Sequence, residues 1–201
     1  MAVTAAEVNA LRERTGAPMM DVKRALEEAE GDTEKAIAIL RRKGAASAAK
    51  RSGRGTSEGI VTSYVHATGR VGVLVEVLSE TDFVARNEDF KGFAREVAIH
   101  IAAMNPKHVS LEDIPEADRE RERAILEEKA KADGKPENVV EKIVEGQLDK
   151  WASELVLLDQ VHFNEERYEG KTIKELRTEL AAKTGENVRI ARFSRFEVGE
   201  E

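Results

Sequence analysis

Apolar residues in the first 44 positions recur at helical spacing and break three times. Val8 and Leu11 give the first stripe, behind Thr4-Ala5-Ala6-Glu7, a capping box in which each end residue satisfies the other's backbone N–H. Gly16 stops that helix. Pro18 suits the first position of a second helix, which carries Met19, Met20, Val22, Ala25 and Leu26. Gly31-Asp32 opens a third, with Ala36, Ile37, Ile39 and Leu40 on its stripe and Gly44 at its end. Three helices of this length bury a small core, marginal on its own.

The period then changes. Residues 45–58, small, basic and bearing Gly and Ser, read as a linker that starts in helical character. Ile60–His66 and Val71–Leu78 are β-branched runs around a Gly-containing loop, the pattern of a hairpin. Val71, Val73, Val75 and Val77 point one way and Leu74 and Leu78 the other. The second strand is therefore apolar on both faces and belongs in the middle of its sheet. Phe83, Phe90, Phe93, Val97 and Ile101 place a helix over 83–104. Two longer helices follow, near 116–133 and 137–157, joined through Asp133-Gly134-Lys135-Pro136 as an antiparallel hairpin. The first arm is nearly all charge, the pattern of a solvated helix with ion pairs across its turns. Thr172-Ile173-Lys174-Glu175 opens a helix that Gly185 closes. In the terminal run, apolar residues fall at 188, 190, 193, 196 and 198, a strand whose alternation slips near Ala191–Arg192. The expected fold is α+β. Residues 1–44 form a three-helix domain and 45–58 a linker. Residues 59–201 form a core of small antiparallel sheet, packed helices and a protruding helical hairpin at 116–157.

Composition narrows the chemistry. The 201 residues contain no cysteine, which excludes disulfides, thiol catalysis and thiolate metal sites. Aromatics make up only 4%, too few for a base-stacking platform. The net charge of −7 divides into +3 over residues 1–55 and −10 over the rest, so bulk electrostatic binding of nucleic acid is not expected. The basic stretch 41–54 leaves an RNA-associated reading to be tested. A polar start and the lack of any apolar run long enough to span a bilayer point to the cytoplasm. His66, His100, His108 and His162 are scattered. Gly170-Lys171-Thr172 mimics the end of a phosphate loop, but Glu165 stands where its leading glycine belongs. No catalytic residue, metal site or cofactor site is expected.

One stretch stands out, Ser79-Glu80-Thr81-Asp82-Phe83-Val84-Ala85-Arg86-Asn87, at a strand-to-helix junction. Asp82 falls near the positive helix end, where it can cap. Phe83 falls at the tip of the element, as core or as a wedge offered to a partner, with core favoured by residue type. Met19 and Met20 are adjacent on a helix and cannot share one face, which points to a partner contact over ordinary core.

The stretch Thr81-Asp82-Phe83-Val84-Ala85-Arg86-Asn87 resembles the signature of the translation elongation factor Ts family. So do Arg12–Leu26, Arg70–Glu76 and Arg192–Glu197, in the family's order over essentially the whole chain. The length is similar to that of the family's short class, with one core sheet module where long members have two. The resemblance implies an exchange factor for the GTPase EF-Tu, with an N-terminal domain similar to ubiquitin-associated domains. Arg12, Met19 and Met20 would then contact the GTPase. Thr81, Asp82, Phe83 and Val84 would lie beside its nucleotide pocket, displace Mg²⁺ and release GDP. Pro18 departs from the glycine usual there. Ser194 stands where some short members carry Cys, so an intermolecular disulfide is impossible here. The single module implies a homodimer, which would rebuild the paired core and cover the second apolar sheet face. The alternative is a helical adaptor that binds polypeptide without changing nucleotide affinity.

Overall fold

The computed structural model describes residues 3–134 and 136–200, with backbone alone at Glu137 and Asn138. Lys135 of the expected turn lies outside them. The fold is α+β. The chain divides into two compact units, one of residues up to Val61 with Glu76–Ala94 and Glu175–Ile190, the other of Thr62–Val75, Arg95–Lys174 and the residues from Ala191 onward.

Helix α1 (Ala5–Thr15) begins with the expected box. The Thr4 N–H donates to Glu7 Oε2 at 2.8 Å, and the Glu7 N–H donates to Thr4 Oγ at 3.3 Å. Such a cap is worth about 1 kcal/mol. Gly16 closes the helix at φ 64°, a left-handed position. Helix α2 spans Met19–Glu28 and α3 spans Thr33–Arg51, the latter capped by Asp32, which accepts the Lys35 N–H at 3.0 Å. Val8, Leu11, Val22, Ala25, Leu26, Ala29, Ala36 and Leu40 form one buried cluster. Helix α3 does not end at Gly44. The following Ala-rich stretch has high helix propensity, and a single interior glycine costs only about 1 kcal/mol. The helix therefore carries through the first half of the expected linker.

Strands β1 (Glu58–Val65), β2 (Val71–Ser79) and β3 (Arg189–Glu197) form a three-stranded antiparallel sheet with β2 in the middle. Gly59 is required where β1 meets β2, because a Cβ there would lie 2.2 Å from the Val77 carbonyl oxygen. Val73, Val75 and Val77 are buried, whereas Leu74 on the opposite face is 50% exposed. One sheet face is thus covered within the chain and the other is open at Leu74. A charge at Val73 would enter the core, not a dimer face. Along β3 both Ile190 and Ala191 turn from solvent and the alternation shifts by one, which leaves Arg195 inside and Phe196 outside, 71% exposed.

The expected helix over 83–104 is two helices, α4 (Asp82–Ala85) and α5 (Glu88–Met104). The break lies at Asn87, whose side chain accepts the Asp89 N–H at 2.8 Å. A short amide side chain that bonds its own backbone competes with helix continuation. On α5, Phe90, Ala94, Val97, Ala98 and Ile101 are buried.

Helices α6 (Glu116–Ala132) and α7 (Glu137–Leu155) form the helical hairpin, each preceded by a proline. Ala130, Val140 and Val144 pack with Leu126 along it, and Ile114, Ala152 and Val156 pack with Trp151 and Leu158 at its root. The pair Arg121–Asp118, 3.0 Å apart on α6, is well exposed and worth a few tenths of a kcal/mol. Among the described residues no helix is long and apolar enough to cross a membrane. Helices α8 (Glu165–Tyr168) and α9 (Ile173–Thr184) complete the chain before β3.

Candidate functional site

The signature occupies the junction where β2 gives way to α4, and its order comes from both sides. On the strand side Ser79 is buried, and its hydroxyl donates to the Thr81 carbonyl oxygen at 2.9 Å. Thr81 is extended and takes the cap position expected of Asp82, accepting the Val84 N–H at 3.4 Å. Asp82 becomes the first helical residue and pairs with Arg86 one turn on, at 3.0 Å. The threonine hydroxyl fits because its oxygen already lies where the first free N–H points. Ala85 is buried and Val84 half-buried, so the turn is anchored on its far side.

Phe83 is 81% exposed. The expectation from residue type, that the ring is core, is overturned. A ring has no place inside when its residue is second in a one-turn helix whose inner side is already taken by Ala85. Met19 and Met20 are both about half exposed, and Arg12 is exposed on α1. Leaving adjacent methionines out of a core that takes Val22, Ala25 and Leu26 follows from helical geometry, since the stripe begins one turn later. These exposed residues and the signature turn belong to the same compact unit.

The junction also uses residues that sequence reasoning passed over. Glu186, in the loop between α9 and β3, accepts the N–H groups of Glu80 and Thr81 at 3.0 Å each, and the Thr81 hydroxyl donates to it at 2.6 Å. In return the Asn187 N–H donates to the Glu80 carboxylate at 2.6 Å. The Asn187 amide donates to the carbonyl oxygens of Ser52 and Arg54, at 3.2 and 2.9 Å, and Arg54 pairs with Glu80 at 3.4 Å. More than 100 residues separate Glu186 and Asn187 from each of their partners here, and no local pattern announces them.

The buried titratable residues lie in the other unit. The His100 Nε2–H donates to Gln160 Oε1 at 2.9 Å, and His100 Nδ1 accepts the Phe163 N–H at 3.2 Å, which fixes a neutral imidazole. Burial pushes the His100 pKa down to about 4. His162, its ring 5.5 Å away and flanked by Glu96, Arg167 and Tyr168, is lowered by burial as well. The folded state binds fewer protons than the unfolded chain below pH 6.5, so stability falls as pH drops from there toward 4. For His100 the loss is about 2 kcal/mol by pH 5. Thermal melts are expected to drop by several degrees between pH 7.5 and 5, and His100→Gln, which does not titrate, should flatten that profile. An unchanged profile in the variant would refute the assignment. Among the described residues no three His, Asp or Glu side chains are placed to hold a metal ion.

Comparison with known proteins agrees with the reading of the signature. The family model described as elongation factor TS matches residues 3–169. An elongation factor Ts of Carboxydothermus hydrogenoformans is 55% identical over 198 residues, covering 98% of this chain and 90% of that protein. One from Thermoanaerobacter sp. is 54% identical, over 98% of this chain and 96% of its own length. One from Nitratidesulfovibrio vulgaris is 51% identical, over 100% and 99%. With the family model spanning most of the chain and relatives above half identity over nearly all of it, the chain belongs to the elongation factor Ts family.

Proposed function

We propose that this protein is the guanine nucleotide exchange factor of the translational GTPase EF-Tu, acting in the cytoplasm. Family membership supports the general activity. The observation that carries the mechanism is Phe83, a large ring held in solvent by a turn that is itself firmly bonded.

In this reading Arg12, Met19 and Met20 on the N-terminal helices grip the GTPase. The turn Thr81–Val84 enters beside its nucleotide pocket. Phe83 wedges between partner helices, and Asp82 with its neighbours shifts the groups that hold the partner's Mg²⁺. The β-phosphate of GDP is held by that cation and by backbone N–H groups. Displacing the ion leaves phosphate charge uncompensated, and GDP departs. By linkage, a factor that weakens GDP binding is itself weakened by GDP, so excess GTP completes the cycle. No covalent bond changes, so the role asks for no acid–base residue and no cofactor of this chain.

Release of labelled GDP from EF-Tu with and without the protein tests the proposal. Acceleration at substoichiometric protein supports it. Binding without acceleration would leave the adaptor reading instead.

We also propose that residues 1–44 act as a gripping domain and that residues 59–201 fold without them. Removing residues 1–44, which keeps Arg51, Ser52 and Arg54 beside the junction, is expected to leave a folded core that binds nucleotide-free EF-Tu at least about tenfold more weakly, the loss of roughly one anchoring side chain or more. Unchanged affinity of the truncated chain would refute this. The same reading takes the active form as a homodimer, paired through the open sheet face.

A further inference from the structure

A helix of four residues does not hold its own shape, because one turn fixes several backbone angles for a single hydrogen bond. The cap of α4 is a long contact at 3.4 Å. Phe83 points into solvent and cannot be steered by packing of its ring. Its direction is therefore inherited from the backbone before it, and the N–H groups of that backbone at Glu80 and Thr81 are held by one carboxylate.

We propose that Glu186 is the positioning residue of exchange, setting the angle at which Phe83 leaves the chain. Three donors converge on this side chain, the N–H groups of Glu80 and Thr81 and the Thr81 hydroxyl. A carboxylate is suited to this, since it only accepts and has room for several donors. The reciprocal bond from the Asn187 N–H to Glu80 locks the strand end from the other side. The support behind Glu186 is α9. Arg51 donates to the Ala181 carbonyl oxygen at 3.4 Å, and Lys183 pairs with Asp89 at 2.7 Å, near the start of α5. The loop bearing Glu186 is thus a fixed post, and the signature turn is tied to it. Without the carboxylate, two backbone N–H groups and a hydroxyl lose their acceptor and the turn samples other conformations.

This proposal rests on the exchange reading, and the measurement keeps the two apart. Labelled-GDP release from EF-Tu is followed at saturating factor for the wild type, Glu186→Gln, Glu186→Ala, Phe83→Ala and the double variant Phe83→Ala with Glu186→Ala. Glutamine keeps the size and one oxygen for the two N–H groups, while its N–H₂ can donate to the Thr81 hydroxyl; alanine removes every acceptor. Glu186→Ala is expected to slow maximal release about tenfold, as the competent fraction of the turn falls to about a tenth, and Glu186→Gln to keep most of the wild-type rate. The half-saturating concentration should change far less, because the contacts of Met19 and Met20 remain. Added to Phe83→Ala, Glu186→Ala should cost little more, since it acts through that ring. Circular dichroism gives the folded fraction for each. Wild-type rates per folded molecule in Glu186→Ala would overturn the proposal, as would a Glu186→Gln no faster than Glu186→Ala or a fully multiplicative loss in the double variant. Failure of Glu186→Ala to fold would make Glu186 a folding residue and overturn it too. A wild type that does not accelerate release would defeat the exchange reading first, and the positioning role with it.

Discussion

Replacing Phe83 with alanine is expected to lower catalysed GDP release by more than about tenfold, a ring seated in a partner pocket being worth about 2–4 kcal/mol. Stability should hardly move. The ring is 81% exposed, so its removal leaves no cavity, and changes at such positions stay within about 0.5 kcal/mol. This separation of activity from stability is what makes the variant informative. A buried phenylalanine such as Phe90 would lose about 3–5 kcal/mol on the same change. Release kinetics and a thermal melt on one preparation decide the matter. A sharp fall in melting temperature with normal exchange per folded molecule would refute the wedge.

Much of this was legible locally. The box at Thr4 and Glu7, the cap at Asp32, the left-handed Gly16 and the central position of β2 each follow from a few neighbouring residues. Where reading failed, a competing local force had been weighed wrongly. Gly44 was read as a stop although alanines on its far side favour helix. Asn87 interrupts a stripe of aromatic residues that reads as one continuous helix. Asp82 reads as the cap because it falls near the positive helix end, yet Thr81 stands one residue earlier, where the free N–H groups point.

The site was legible as a motif and not as a device. The signature singles out a short stretch of sequence, but the exposure of Phe83 and the tie to Glu186 are tertiary facts. Hydrophobicity argues for burying a phenylalanine. Only the geometry of a one-turn helix with Ala85 inside shows why this one stays out. A bond from residue 81 to residue 186 leaves no trace in spacing, charge or periodicity.

The second large effect concerns assembly. On the open face of the sheet, in one unit, Val65, Leu74, Phe196 and Val198 are all at least half exposed. The helical hairpin does not take these side chains out of solvent. Burying a valine, leucine or phenylalanine side chain is worth about 1.5–3 kcal/mol, so a face with four of them favours a partner surface of the same kind. Two-fold pairing supplies that surface from an identical chain. Ser194 lies on this face as well, exposed between Arg192 and Phe196, so the pairing needs no covalent bond. Sedimentation at micromolar concentration is expected to give a species near twice 22.2 kDa. Leu74→Asp and Phe196→Asp place a charge where solvent already reaches, so each variant should keep its fold, whereas Val73→Asp would disrupt the core. In a dimer the same charge would be buried in an apolar interface, at a cost of several kcal/mol. Both variants should therefore sediment as monomers with nearly unchanged circular dichroism. A wild type that sediments near 22.2 kDa, or variants that remain paired, would show that this face is not the dimer interface.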